Sequence, residues 1–181
     1  LGLIGPPAES HVVASECGTA DGVVYVPAPL GLGSPHWDYG ARGALLGLTR
    51  GSGRAQIVRA VLEGVAQRGA DLVEATEADT DTTIQHLRID GGMSRNPTFV
   101  QALADASGRA VEVSPVTEAT TLGAAYLAGL ATGTWSDLEQ VAALWAPSAT
   151  VEPVAELDRE RWQRAVERAR AWFPELSALD F

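Results

Sequence analysis

Residues Leu87 to Asn96, LRIDGGMSRN, predict the fold more directly than any other stretch of the 181-residue chain. A short strand ends at Asp90-Gly91-Gly92, and Asn96 with the following proline opens an apolar-periodic helix. A strand that turns at two glycines into a helix brings α/β backbones against nucleotides, since glycine carries no Cβ. Such a turn lies at the carboxyl edge of a sheet, where open α/β sheets bind their ligands. Asp-Gly is also common in plain tight turns, so the stretch alone leaves that interpretation open.

The elements around this turn alternate between strand and helix. A helical apolar stripe predicts a long helix over 55–75, and the acidic residues 74–83 predict a connector. Asn96 fits an N-cap with proline at the first helical position, and Gly108 fits the end of that helix. A second strand is expected at 110–113, and a helix of small residues at 120–131. The pattern predicts a small, parallel α/β sheet with right-handed crossovers.

The two ends of the chain are less regular. Residues 1–19 predict the tail of a helix that stops before Pro6, then a polar connector. After an extended run at 22–26, the Gly- and Pro-rich loop 27–43 is expected to be anchored by Trp37. Residues 146–153 predict a connector to a last helix over 158–173. One face of this helix is expected to be buried, and its five arginines are expected to occupy the solvent-exposed surface. The residues expected on that face are Trp162, Ala165, Val166, Ala169, Trp172 and Phe173.

Composition excludes several function classes. A net charge of −10 argues against a nucleic-acid surface, and all thirteen basic residues are arginine, which excludes a P-loop lysine. The weakly polar run 122–131 is too short to span a bilayer, and we expect no membrane association. Cys17 is the sole cysteine, so no internal disulfide forms and a cytoplasmic location is expected. Two visible strands and a start at leucine suggest a part of a longer protein.

Other residues with chemical potential have simpler interpretations. Asp90 is expected to bind the N–H groups that follow it rather than to act as a catalytic base. Asp38 is expected to fix the geometry of its loop or to pair with Arg42. The three histidines show no metal-ligand spacing, and Asp79-Thr80-Asp81 lacks the glycine and glutamate of a calcium loop. Cys17 has no neighbour in sequence that would activate it.

Three ordered stretches of the sequence are similar to the carboxy-terminal domain of FGGY carbohydrate kinases, and within that family to glycerol kinases. The first is GLGSPHWD at 31–38 with ARG at 41–43; His36 and Pro29 depart mildly from the glycerol kinase pattern. The second is GALLGL at 43–48, followed by QI at 56–57 and AVLE at 60–63. The third runs from Leu87 to Trp135. The core of the resemblance covers 20–135, and 136–181 contribute a connector and helix to a single, partial domain of residues 1–181.

The resemblance implies an α/β fold of the actin-like or hexokinase-like ATPase (ribonuclease H-like) class. The chain then corresponds to the carboxy-terminal half of a two-domain kinase, in truncated form. Such kinases use ATP and Mg²⁺ to phosphorylate a hydroxyl of a sugar or of glycerol, which is bound mainly by the amino-terminal domain. The catalytic aspartate of the family also lies upstream of the matched stretch, so we assign no catalytic residue and expect this segment alone to be inactive.

The same resemblance assigns the nucleotide-binding residues. Gly91 and Gly92 match the turn on whose backbone the adenosine rests, and Asn96 matches the asparagine that meets the adenine. The side-chain oxygen of Asn96 can cap the helix while its NH₂ group faces a ring nitrogen. Met93, Ser94 and Arg95 are expected to border the purine without a fixed role. No metal ligand is assigned.

Two alternatives to a carbohydrate kinase remain open from the sequence. One is an actin-like ATP-binding module whose output is conformational, which the GLGSPHWD loop argues against. The other is an inactive fragment. The sugar or polyol and the oligomeric state are not determined, and a homo-oligomer remains open because the aromatic face of the last helix could cover a neighbouring copy.

Overall fold

The fold centres on a three-stranded sheet, which the computed structural model shows within the described residues 2–177. Strands β3 (His86–Ile89) and β4 (Ala110–Val113) pair in parallel, with Leu87 opposite Val111. Strand β5 (Ala149–Val151) pairs antiparallel with β4. The parallel pair was predicted, and β5 was not. Leu1 and residues 178–181, which the assigned domain includes, lie outside the described residues.

The remaining elements surround this sheet and a separate two-stranded hairpin. The helices are α1 (Glu9–Ser15), α2 (Arg54–Thr80), α3 (Pro97–Ser107), α4 (Ala119–Ala131), α5 (Leu138–Ala142), α6 (Arg159–Ala169) and α7 (Pro174–Ser177). The hairpin pairs β1 (Val24–Val26) antiparallel with β2 (Ala44–Leu46). A 3₁₀ turn (Gly92–Arg95) connects β3 to α3.

The main core lies between the sheet and helices α1, α2 and α3. It is formed by apolar residues from all four elements, among them Val13, Leu62, Leu103 and Val111. Helix α3 begins and ends where the sequence predicts. Asn96 caps its first turn, and Gly108 takes the left-handed conformation (φ +67°) at its end. These local signals fix the length of α3, and hence the position of the turn that precedes it.

A second core lies between the hairpin and α6. Trp162, Val166, Val26 and Leu32 are almost fully buried there. Helix α2 approaches β1 closely at Gly64, where an added Cβ would lie 2.0 Å from the backbone oxygen of Tyr25. The hairpin is therefore held between α2 on one side and α6 on the other.

Several predicted boundaries are wrong. Residues 2–8 are not helical, and the helix lies instead at 9–15, inside the predicted connector. Helix α2 continues to Thr80, through most of the stretch that its acidic side chains suggested was a linker. The last long helix ends at Ala169, before Trp172 and Phe173, so these two aromatic residues are exposed rather than part of the buried face.

Helix α4 contributes little to either core. Among the described helices of eight or more residues, it is the one with a single buried residue, Gly129. The other three helices of that length bury four or more residues each. Within residues 2–177, neither α4 nor any other helix combines the length and apolar character needed to cross a bilayer.

Candidate functional site

The backbone at the end of β3 takes a conformation that only glycine adopts readily. Gly91 has φ +82° and ψ −174°, a region that side chains with a Cβ strongly disfavour. Its N–H donates to the carbonyl of Thr117, 3.2 Å away. Its carbonyl accepts from the hydroxyl of Ser94 at 2.8 Å, which closes the 3₁₀ turn. The turn is thus fixed by its own hydrogen bonds.

The space over both glycines is open. A Cβ added to Gly91 or Gly92 would meet no atom within 4 Å. Internal packing therefore does not explain the absence of side chains at these two positions. The backbone conformation of Gly91 explains why this position is a glycine. The glycine at position 92 leaves a stretch of backbone without a side chain, which a flat molecule can approach.

Asn96 lies one turn further on and is nearly buried, with 9% of its surface exposed. Its Oδ1 accepts from the backbone N–H of Phe99 at 3.1 Å, so its predicted capping role is confirmed. Its Nδ2 donates to the hydroxyl of Ser10 at 2.9 Å. An amide nitrogen carries two protons, so one N–H remains for another acceptor.

Ser10 is the residue at this site that the sequence did not reveal. It lies in α1, and its hydroxyl donates to the carbonyl of Pro7 at 2.6 Å while it accepts from Asn96. Ser10 and Asn96 are 86 positions apart. A serine in a stretch interpreted as a connector carries no local signal for such a contact.

A cleft of about 650 Å³ lies between α1, α2 and the 3₁₀ turn, and Ser10 lines it, whereas Gly91 does not. This volume falls within the usual range for small-molecule sites. Gly92 and Asn96 line it, together with Met93 and Arg95, whereas Ser94 does not. The apolar part of the wall consists of Ile4, Pro7, Ala8, Val61, Leu62, Val65 and Pro97. The arrangement suits a flat, largely apolar group held by few polar contacts.

Asp90 plays a structural part, although not the expected one. Its Oδ2 accepts a hydrogen bond from the backbone N–H of Ala119, at the start of α4, at 3.2 Å. Glu118, which precedes that helix, makes no capping hydrogen bond with its side chain. Asp90 therefore links the glycine turn to the first turn of α4, where a carboxylate is favoured by the helix dipole.

The long loop is anchored by Asp38 and not by Trp37, which is 62% exposed with φ +48°. The buried Asp38 carboxylate accepts hydrogen bonds from Gly40, Ala41, Ala171 and Ser177. Burial raises the pKa of Asp38, but these hydrogen bonds outweigh it and bring the pKa below its ordinary value. Of the two roles predicted for Asp38, fixing the loop is confirmed. The predicted pairing with Arg42 is wrong.

The arginine that approaches Asp38 is Arg170, with 3.5 Å between Nε and Oδ2. Arg42 instead donates to the carbonyls of Tyr39 and Ala41. Loop and chain end are therefore held together through one carboxylate, with Arg170 and Ser177 on the side of the chain end.

A buried ionic network joins α2 to α6. Asp71 accepts from the indole nitrogen of Trp162 at 2.9 Å and from Arg159 at 2.7 Å and Arg68 at 3.0 Å. Arg159 is therefore not one of the solvated arginines that the sequence predicted. His36, at the position that departs from the glycerol kinase pattern, places Nε2 3.6 Å from Asp71.

The remaining candidates show no reactive arrangement. Burial raises the pKa of the Cys17 thiol, and this disfavours the thiolate. In the part of the chain that the structure describes, no three His, Cys, Asp or Glu side chains are grouped so as to hold a metal ion.

Comparisons with known proteins place this geometry in context. Residues 8–132 match the C-terminal domain of the FGGY family of carbohydrate kinases. The glycerol kinase of Janthinobacterium sp. (strain Marseille) is 46% identical over 177 residues, which are 95% of this chain and 36% of that protein. The glycerol kinase of Petrotoga mobilis is 46% identical over 180 residues, 97% of this chain and 36% of its own length.

Solved structures give the same result. The crystal structure of Plasmodium falciparum glycerol kinase with ADP superposes with a TM-score of 0.81 and 36% identity, over 92% of this chain and 34% of that one. A xylulose kinase from Rhodospirillum rubrum superposes with a TM-score of 0.66 and 26% identity, over 93% and 34%. The chain thus spans about a third of the length of these relatives, and the predicted α/β fold of the actin-like ATPase class is confirmed.

Proposed function

The chain belongs to the FGGY family of carbohydrate kinases, and we propose that it is the nucleotide-binding part of an ATP-dependent kinase that phosphorylates a sugar or glycerol hydroxyl. The observation that carries the proposal is the cleft beside the glycine turn, lined by Gly92 and Asn96. The similar Plasmodium falciparum structure contains ADP, and the similar curated proteins are glycerol kinases. Glycerol is accordingly the first substrate to test.

The residues fit an adenine nucleotide in shape and in hydrogen bonding. An added Cβ at Gly91 or Gly92 would meet no atom within 4 Å, so their backbone is accessible to a planar ring. The free N–H of Asn96 suits a ring nitrogen, which is an acceptor, and the apolar wall suits the faces of the ring. When bound, ATP supplies the phosphoryl group. The residues of this chain hold and orient the nucleotide, and positioning dominates phosphoryl transfer.

Mg²⁺ accompanies ATP in the proposed reaction, but we assign it no ligand among residues 2–177. Among these residues, no three His, Cys, Asp or Glu side chains lie close enough together to hold a metal ion. Mg²⁺ is commonly held by nucleotide phosphates, water and only one or two carboxylates, so we expect it to enter with the nucleotide.

The reaction itself is proposed to need more than this segment. We expect the base that takes the hydroxyl proton to lie upstream of the matched residues, and we assign the substrate pocket to a separate amino-terminal domain. The segment alone should therefore bind nucleotide weakly and transfer no phosphoryl group. A cytoplasmic location suits an enzyme that consumes ATP.

Calorimetric titration of the 181-residue chain with ADP tests the proposal, with glycerol phosphorylation measured in parallel. We expect saturable heat at high ADP concentration and no phosphorylation. The absence of any ADP binding would contradict the assigned nucleotide role. Glycerol phosphorylation by the segment would show that the catalytic base has been placed wrongly, and it would leave the family assignment intact.

A further inference from the structure

The orientation of the Asn96 side chain is determined by two neighbours with opposite requirements. The backbone N–H of Phe99 needs an acceptor, and its nitrogen lies 3.1 Å from Oδ1 of Asn96. On the other side of the amide, the hydroxyl oxygen of Ser10 lies 2.9 Å from Nδ2 of Asn96. The amide oxygen and nitrogen of Asn96 are similar in size, so packing alone does not determine which of them faces the cleft. Their hydrogen-bond partners determine it.

Ser10 requires a donor from Asn96. A serine hydroxyl has a single proton, and that of Ser10 is used on the carbonyl of Pro7 at 2.6 Å. Its oxygen can then only accept, so the Asn96 atom facing it must be nitrogen. Both neighbours therefore select the same orientation, and rotation of the amide by half a turn would lose both hydrogen bonds.

We propose that Ser10 is a positioning residue of the nucleotide site: it holds Asn96 with its amide nitrogen toward the base, so that the base meets an N–H donor. Ser10 acts through Asn96 and needs no contact of its own with the nucleotide, although it also lines the cleft. The inference depends on the proposed nucleotide function. The ligand feature that it selects is an acceptor nitrogen in the purine ring.

Four variants of the 181-residue chain test the inference by ADP titration. Ser10→Ala removes the acceptor and should weaken ADP binding by about three- to ten-fold, the range for one hydrogen bond. Ser10→Thr keeps a hydroxyl and should restore most of the affinity. Asn96→Asp keeps the N-cap, since aspartate caps as well as asparagine, but it has no N–H to donate. The double variant, which combines Ser10→Ala with Asn96→Asp, should bind ADP as strongly as Asn96→Asp alone.

A set of modified nucleotides separates positioning from a general loss of structure. ADP analogues in which N1, N3 or N7 of the ring is replaced by carbon are titrated into the wild-type chain and Ser10→Ala. One analogue should bind the wild type more weakly than ADP does, and that analogue should be insensitive to Ser10→Ala.

Equal weakening of ADP and all three analogues by Ser10→Ala would overturn the inference. So would a Ser10→Ala effect that persists undiminished in the Asn96→Asp background. These results are distinct from failure of the proposed function, in which the wild-type chain binds no ADP at all.

Discussion

The indole nitrogen of Trp162 donates a 2.9 Å hydrogen bond to Asp71, a residue 91 positions earlier in the sequence. Both side chains are buried, and Asp71 also forms ion pairs with Arg68 and Arg159, of which Arg159 pairs with Glu74 as well. This contact attaches α6 to the long helix α2, which also packs against α1, α3 and β1 and lines the cleft. Helix α6 is thus tied to the element that forms one wall of the proposed site.

Asp71→Asn should therefore reduce the stability of the whole chain. Removal of the negative charge takes away the carboxylate partner of Arg68 and leaves Arg159 paired only with the more exposed Glu74. We expect a loss of about 3 kcal/mol in the free energy of unfolding. Urea titration followed by tryptophan fluorescence measures the change. Glu160→Gln is the matched control, because the Glu160–Arg164 pair is exposed and should contribute less than about 1 kcal/mol. Equal effects of the two substitutions would contradict a special role for Asp71.

Gly64 and Gly69 provide a paired test of how closely α2 packs. An alanine Cβ at Gly64 would lie 2.0 Å from the backbone oxygen of Tyr25, whereas at Gly69 it would meet a Leu103 side-chain methyl at 2.8 Å. A backbone atom cannot move aside easily. Gly64→Ala should thus cost about 2–3 kcal/mol despite the better helix propensity of alanine. Gly69→Ala should cost clearly less, and the reverse order in thermal unfolding would contradict the packing described here.

The two glycines of the turn should respond differently to alanine. Gly91→Ala places a side chain at φ +82° and should lower the stability by about 1–3 kcal/mol. Gly92→Ala meets no neighbouring atom, so the fold should persist. Its methyl group should nevertheless obstruct the ring and weaken ADP binding by about ten-fold or more. Gly123→Ala in α4 also meets no neighbour, and it is the control that should leave ADP affinity unchanged.

Asp38 should make the stability of the chain depend on pH in the acidic range. Burial raises the pKa of Asp38, but the hydrogen bonds to its carboxylate outweigh this effect and hold the pKa below its ordinary value in the folded state. A carboxyl with a lowered folded pKa contributes stability that is present above its unfolded pKa and is lost as the pH falls through the folded pKa. Unfolding midpoints of Asp38→Asn and the wild type should therefore converge as the pH falls below about 4. A difference that persists undiminished as the pH falls well below about 4 would contradict this account.

Features with a local sequence signal were predicted correctly, whereas features that depend on contacts between distant residues were often missed. The N-cap at Asn96, the glycine end of α3 and the individual strands β3 and β4 carry local signals, so the sequence revealed them. The alternation of strand and helix then predicted the parallel pairing of these strands. Strand β5 is three residues long between prolines and depends on pairing with β4, so its own residues suggested a connector. Helix α2 was predicted too short because its acidic end suggested a solvated linker, although helices also carry charged faces.

The same limit applies to the site. Motif similarity gave Gly91, Gly92 and Asn96, but Ser10 reaches the site only through the packing of α1 against α3. Similarly, Trp37 was expected to anchor its loop because large aromatic residues are usually buried, yet a small carboxylate performs that role. Asp38 could do so because the nearby backbone N–H groups of Gly40 and Ala41 and the distant N–H group of Ala171 converge on it.

The location of bound nucleotide tests the central claim most directly. Amide resonances of the isotope-labelled 181-residue chain can be followed during titration with ADP. We predict that the saturable shifts concentrate at Gly91, Gly92, Met93 and Asn96, with a second group in α1 around Ser10. Saturable binding whose shifts lie elsewhere and spare this turn, or no binding at all, would contradict the claim that the cleft beside the glycine turn holds the adenine nucleotide.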